Sequence, residues 1–291
     1  MRVLVVFTYG YSLKTWDESG TLERELSIYT ELQKKYGIEF TFLTYGDNSD
    51  LELAIKNLDV DIIGVQEVIK IGDLDFFSLY NQCMNATGTS AASWKVFRRA
   101  QRALTLGKYF DYSLSVPGRK AECGVFRGFS ALLTNQIAKM RDISWTGDNY
   151  HLIDSYQGLS EPELKDAIFI DNQKPVASHR AGHFAVPLAT VQNNLSSFPQ
   201  LRFHKGWIPE IFSSLPEDEW SYVHIDVDLY KPTLECLEYF FPRMAAGGVI
   251  INDDYSSPLF PGGGSGWEEF FNRVKKPYIA LDTGQAIFIN K

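Results

Sequence analysis

AECGVFRGFSALL, residues 121 to 133, carries a carboxylate and two glycines between an apolar run and an amphipathic one. AECGV reads as a strand running into the loop FRG. FSALLTNQIAKM then places Phe129, Leu132, Leu133, Ile137 and Met140 on one helical face. Gly124 and Gly128 permit a tight strand-to-helix turn and close approach of a ligand, and the helix starting near Gly128 offers free N–H groups to an anion. Alone, the stretch is equally a glycine-bearing turn that packs a helix on a sheet. Its surroundings decide.

Downstream, YHLIDSY is the next strand, and Asp154 at its end can accept hydrogen bonds from the two hydroxyls of a ribose. LATVQNNLSSF reads as a helix, LRFHKG as a short strand, YVHIDVDLY as a strong strand, TLECLEYFFPRM as a helix and GGVIINDDY as a strand. YIALDTGQAIFINK closes the pattern as a hairpin turning at Thr283 and Gly284. GGGSG, residues 262 to 266, reads as a flexible loop between these elements. The order is that of an α/β sheet with an antiparallel C-terminal edge.

Upstream, RVLVVFTY, TLERELSIYTELQKKYG, EFTFLTY, DLELAIKNL and DIIGV alternate strand, helix, strand, helix, strand. This is a partial Rossmann-like βαβαβ segment over residues 1 to 72, with Gly37 closing its first helix. GDLDFFSLYNQCMNATGTSAAS loses the strand periodicity, and helical spacing resumes from Trp94 to Leu114. Residues 73 to 118 are therefore expected to form a helical connector or cap, and 119 to 291 the main domain.

Candidate polar residues collect at strand ends, where ligands of open α/β sheets bind. In HIDVDLY, residues 224 to 230, strand alternation puts Asp226 and Asp228 on one side, and two like charges there call for a cation or a shared proton. An adjacent acidic pair such as Asp253 and Asp254 is by itself usually solvated surface. With Asp228 at a neighbouring strand end, the three make a set of hard oxygen ligands suited to Mg²⁺. Asp226 is then free to act as a base toward a hydroxyl acidified by the ion. His224 aligns with these carboxylates, although a lone strand histidine is more often structural. Trp207, beside Gly206, is placed either to stack on an adenine or to pack; Arg127 either pairs with a cofactor carboxylate or stays an exposed loop arginine. His151, His179, His183 and His204 give no zinc-ligand spacing.

The formal net charge of -8 and the lack of a basic run argue against nucleic-acid and anionic-membrane partners. No apolar stretch approaches the roughly 20 residues needed to span a bilayer. Cys83, Cys123 and Cys236 are too few and scattered for a disulfide framework, so reduced, buried thiols and a cytoplasmic location are expected.

ECGVFRGFSALL, HLIDSYQGLSEP, FHKGWIPEIF, HIDVDLYKPTLECLEYFFPRMAAGGVIINDDY and FPGGGSGWEEF, in this order and spacing, resemble the macrocin and mycinamicin sugar O-methyltransferase family over about residues 95 to 291. The resemblance implies a class I methyltransferase fold that moves a methyl group from S-adenosylmethionine to a sugar hydroxyl with Mg²⁺. Carried over by position, it implies Asp228, Asp253 and Asp254 as metal ligands and Asp226 as base. For the cofactor it implies Glu122, Gly124, Val125, Phe126, Arg127, Gly128 and Ser130 in the loop, Asp154 and Ser155 at the ribose, and Gly206 and Trp207 beyond. Phe126 stands where many class I enzymes carry a middle glycine. FTYGYSLKTWDESGTLERELSIY, near the N-terminus, is similar to the opening of GT-B glycosyltransferases, but only about three strands follow.

The leading expectation is an O-methyltransferase of a glycan or glycosylated metabolite, with Tyr156 to Pro187 as a lid and a homo-oligomer as an open option. The alternative is a metal-dependent glycosyltransferase using the D-x-D at 226 to 228. A third reading is a non-catalytic glycan- or partner-binding protein in which the site has decayed.

Overall fold

A computed structural model describes residues 2–6, 13–44, 53, 61–64, 70–71, 74–89, 96–168, 176–177 and 179–291. The chain divides into two compact units, Met1–Leu79 with Ala92–Phe97, and Tyr80–Ala91 with Arg98–Lys291.

In the first unit, strands β1 (Arg2–Val6), β2 (Glu39–Thr44) and β3 (Asp61–Gly64) form a parallel sheet in the order β1-β2-β3. Helices α1 (Leu13–Glu18) and α2 (Leu22–Tyr36) lie between β1 and β2 in sequence. Glu23 and Glu25 in the first turn of α2, and Lys34 and Lys35 in its last, match the helix dipole. Gly37 adopts φ 62° and its N–H caps Gln33 C=O, the expected left-handed stop. Leu13, Leu22, Leu26, Phe40 and Phe42 make its core. Most of DLELAIKNL, expected as a helix, lies outside the described residues.

A two-stranded ribbon, β4 (Lys70–Ile71) and β5 (Leu74–Asp75), precedes α3 (Phe76–Thr87) and α4 (Val96–Ser113). Helix α3 lies in the stretch expected as a helical connector or cap, where the sequence reading marks only a loss of strand periodicity. There, Phe76, Leu79, Tyr80, Cys83 and Thr87 are buried at helical spacing, and the polar Asn, Gln and Ser between them occupy the exposed face and obscure that spacing.

The second unit is built on a seven-stranded sheet. Its strands are β6 (Arg119–Cys123), β7 (Tyr150–Asp154), β10 (Arg202–Lys205), β11 (Trp220–Ile225), β12 (Met244–Asn252), β13 (Ile279–Ala280) and β14 (Ala286–Ile289), in the order β10-β7-β6-β11-β12-β14-β13. β10 through β12 pair in parallel, and β14 runs antiparallel to both of its neighbours. A separate two-stranded ribbon, β8 (Ala167–Ile168) and β9 (Val176–Ala177), lies in the segment expected to be a lid; residues 169–175 and 178 of that segment lie outside the described residues. Helices α5 (Phe129–Arg141), α6 (Leu188–Asn194), α7 (Tyr230–Phe240) and α8 (Pro261–Val274) complete the unit.

The core gathers Trp220, Phe240, Trp267, Phe271 and Phe288 around the central strands, with Cys123 and Cys236 buried and free. On α5, Leu132, Leu133 and Ile137 are buried as expected, but Met140, in the last turn, is 57% exposed. GGGSG is helical, contrary to the loop reading, and Gly262, Gly263, Gly264 and Gly266 are buried in α8. A Cβ at Gly262 would stand 1.8 Å from Asp166 Oδ1, and one at Gly264 would stand 2.1 Å from the Tyr255 carbonyl oxygen. The glycines serve close packing rather than flexibility.

Candidate active site

The chain leaves β6 toward β7 and β10 on one side, and returns through β11 to β12 on the other. Between β6 and β11 the sheet therefore has its topological switch point, where strand carboxyl ends open a crevice. Gly124 follows β6 with φ 85°, and a Cβ there would sit 1.9 Å from the Asp226 carbonyl oxygen. Asp226 N–H donates to Cys123 C=O at 2.8 Å. The two loops touch backbone to backbone, so only glycine fits.

Asp154, at the end of β7, ties the first loop down. Its Oδ2 accepts from Val125 N–H at 2.7 Å and Phe126 N–H at 3.2 Å, and its Oδ1 accepts from Tyr156 N–H at 2.6 Å. These bonds hold Phe126 at φ 47°, the left-handed conformation that a middle glycine would adopt at less cost. A carboxylate has about four acceptor positions, so room remains for a hydroxyl. Glu122 is wholly buried beneath the loop, accepting from Ser130 Oγ at 2.7 Å and Tyr150 Oη at 3.3 Å. Arg127 spends its guanidinium on Gly88 C=O at 2.7 Å. Ser155 Oγ accepts from Gln157 N–H and donates to Gly158 C=O, both at 3.0 Å. Gly206 N–H donates to Asp154 C=O at 3.0 Å. Phe126 and Trp207 remain 41% and 40% exposed.

The other half of the site is acidic. β11 ends at Ile225, so the strand alternation expected for Asp226 and Asp228 does not operate; the chain turns instead, with Asp228 at φ 61°. Asp226, Asp228 and Asp254 nevertheless present oxygens within 4.8 Å of one another, and His224, Asp226 and Asp253 form a second such group. Asp226 belongs to both. Asp253 is engaged on every side: Gln285 Nε2 donates to its Oδ1 at 2.6 Å, Arg102 Nη2 donates to its Oδ2, and His224 Nε2 stands 3.8 Å from Oδ1. His224 Nδ1 in turn stands 3.6 Å from Glu122 Oε2, linking the acidic group to the carboxylate under the glycine loop.

Burial, then the neighbouring Asp253 and Asp254 charges, pushes the Asp226 carboxyl well above the ordinary range; burial with Asp254 and Asp226 does the same to Asp228. Burial and Asp253 also raise Asp254. Burial opposes ionisation of Asp253 too, but Arg102 and His224 outweigh it and hold that carboxyl below its usual value. Asp254 Oδ2 is buried without a hydrogen-bond partner. Three clustered carboxylates and an unpaired buried oxygen fit a hard cation, which would remove both the repulsion and the vacancy in hydrogen bonding.

Both halves line one cavity of 940 Å³, which includes Phe126, Asp154, Trp207, Asp226, Asp228 and Asp254. Residues missed in the sequence include Arg102 and Gln285, which reach Asp253 from 151 and 32 positions away. The helical spacing of α4 was legible, but nothing in it marks the tip of one arginine. Asp166 was also missed: its Oδ1 accepts from Tyr230 N–H at 2.7 Å, satisfying the start of α7 two residues after Asp228.

A family model described as macrocin O-methyltransferase (TylF) matches residues 112–289. The 8-demethyl-8-(2,3-dimethoxy-alpha-L-rhamnosyl)-tetracenomycin-C 4'-O-methyltransferase of Streptomyces olivaceus is 32% identical over 145 residues, 48% of this chain and 54% of that protein. Mycinamicin III 3''-O-methyltransferase of Micromonospora griseorubida is 30% identical over 147 residues, 49% of this chain and 57% of that protein. The chain thus spans about half the length of the curated relatives it matches. Among solved structures, the O-methyltransferase NovP aligns with TM-score 0.55 at 22% identity, covering 66% of this chain and 80% of that one. The calicheamicin methyltransferase CalS11 aligns with TM-score 0.56 at 17% identity, covering 73% and 91%. These two likenesses establish the class I methyltransferase fold.

Proposed function

This chain belongs to the macrocin O-methyltransferase family, and on that premise we propose that it transfers a methyl group from S-adenosylmethionine to a hydroxyl of a sugar or glycosylated small molecule, with Mg²⁺ in the acidic cluster. The observation that carries the reading is the meeting of the glycine loop and the carboxylates in one cavity at the switch point of the sheet. The rhamnosyl group in the name of the Streptomyces olivaceus relative supports that acceptor class.

On the cofactor side, Asp154 keeps acceptor capacity for a ribose hydroxyl, while Phe126 and Trp207 offer aromatic faces to an adenine. Asp226, Asp228 and Asp254 would hold the ion. Bound there, Mg²⁺ would lower the pKa of an acceptor hydroxyl and make its oxygen a better nucleophile. With S-adenosylmethionine bound, the acceptor oxygen would bond to the methyl carbon as the sulfonium–carbon bond breaks, leaving S-adenosylhomocysteine, and a carboxylate of the cluster would take the hydroxyl proton. In-line attack needs both reactants held at close range, which the walls of one cavity supply. Asp226, common to both groups of possible ligands, would be the carboxylate that takes the hydroxyl proton.

The test is calorimetric titration with S-adenosylmethionine in Mg²⁺ and in EDTA, followed by methyl-transfer assays against a panel of rhamnosylated and related glycosides. Micromolar cofactor binding and EDTA-sensitive labelling of a glycoside are expected. Binding of a nucleotide sugar in place of S-adenosylmethionine would reverse the reading in favour of glycosyl transfer.

A further inference from the structure

Arg102 lies on α4, ten positions before the stretch that matches the family begins. Its Nη2 donates to the Asp253 carbonyl oxygen at 2.7 Å and to the Asp253 carboxylate, and stands 3.4 Å from Asp254 Oδ1. The Arg102 main chain is tied to the same carboxylate, because Gln285 Nε2 donates both to Arg102 C=O at 3.3 Å and to Asp253 Oδ1 at 2.6 Å. Gln285 is fully buried, and the Arg102 side chain is 28% exposed. A guanidinium does not give up its proton in a protein. Among the ion pairs that the described residues make with this acidic group, Arg102 is the permanent positive charge set against Asp253 and Asp254, on a cavity wall they share with Asp226 and Asp228.

We propose that Arg102 is a built-in counter-ion that sets how tightly the acidic cluster holds a divalent cation. The inference rests on the divalent-ion reading of the cluster. Arg102 neutralises one carboxylate permanently and competes with a cation for the field and for the Asp254 oxygen. It holds Asp253 as a carboxylate before the cation arrives, and it keeps the cation exchangeable. It is a positioning residue, acting through Asp253 and Asp254.

The experiment titrates the full chain with Mn²⁺, followed by electron paramagnetic resonance of the free ion, in wild type, Arg102→Lys, Arg102→Met and Arg102→Gln. S-adenosylmethionine titration and thermal melting check folding. Removing a unit charge beside the cluster should tighten Mn²⁺ binding by about tenfold in Arg102→Met, and Arg102→Lys should stay within about twofold of wild type. Cofactor affinity should be unchanged in both. Arg102→Gln keeps amide donors for Asp253 and should show the same tightening; it decides the matter if the methionine variant does not fold. A merely structural arginine would change the melting temperature without tightening the ion. Unchanged or weaker Mn²⁺ binding in a folded neutral variant would overturn the proposal. If wild type fails to bind Mn²⁺ and Arg102→Gln binds it, the ion reading of the native enzyme falls while the counter-ion role stands. If no variant binds Mn²⁺, both fall.

Discussion

At Gly124 a hydrogen atom in place of a side chain decides whether β6 and β11 can end side by side. An added methyl would meet the Asp226 carbonyl oxygen at 1.9 Å in a backbone already at φ 85°. Gly124→Ala is expected to cost at least about 2 kcal/mol, read as a lowered urea midpoint, and to weaken S-adenosylmethionine binding. A variant with wild-type stability and cofactor affinity would show that the loops need not touch. Asp226 poses the complementary test. Because it belongs to both clusters of possible ligands, Asp226→Asn should weaken Mn²⁺ binding by about tenfold or more and leave cofactor affinity within about twofold, as expected for loss of a charged ligand. If cation affinity survives and methyl transfer is lost, its role narrows to that of the base read from the sequence.

Helix α8 inverts the usual meaning of glycine in an element. In an exposed helix interior, Gly→Ala stabilises by about 1 kcal/mol. Gly264→Ala in α8 should instead destabilise by more than about 2 kcal/mol, because its Cβ would collide with the Tyr255 carbonyl oxygen at 2.1 Å. Chemical denaturation of the single variant checks the sign, and a gain in stability would refute the packing account. The paired strands β7 and β10 carry another testable feature. His151 Nδ1 and His204 Nε2 lie 2.9 Å apart, and His151 stacks edge-on against Trp220. Burial, then the His204, Arg119 and Arg202 charges, lowers His151 to about 4, while Asp218 pulls weakly the other way. Burial and Arg202 lower His204 as well. The folded imidazoles thus resist protonation that the unfolded chain accepts. Between the ordinary histidine value of about 6.5 and the folded one, the unfolded state binds more protons. Their contribution is fully present above that range and is lost as the pH falls through it. Urea midpoints at pH 7.5 and 5 should therefore differ less in His151→Phe than in wild type; equal differences would exclude the pair as a source.

At the scale of the molecule, every residue lining the 940 Å³ cavity falls within one of the two compact units. A fragment from Phe76 to Lys291 keeps α3 whole and contains that entire wall. It should bind S-adenosylmethionine within about threefold of the full chain, as expected when no contact group is lost. A fragment that folds, by its melting profile, but has lost the cofactor would assign the first unit a direct part in the site. Among the described residues, no helix is long and apolar enough to cross a membrane.

Hydrophobic periodicity and glycine placement determined the alternation of strands and helices, the antiparallel C-terminal edge and the existence of a loop after β6, because these depend on neighbours within a few residues. The acidic residues were equally legible as a set, since all of them stand at or just past the ends of apolar strands. Only the tertiary structure decided which carboxylates meet. Asp226 and Asp228 come together through a left-handed turn rather than strand alternation, and Asp253 is claimed by Arg102 and Gln285 from distant elements. It likewise decided that four glycines read as a loop are a helix pressed against its neighbours. Such contacts depend on which backbones approach within a few ångströms, and local spacing in the sequence carries no record of that distance.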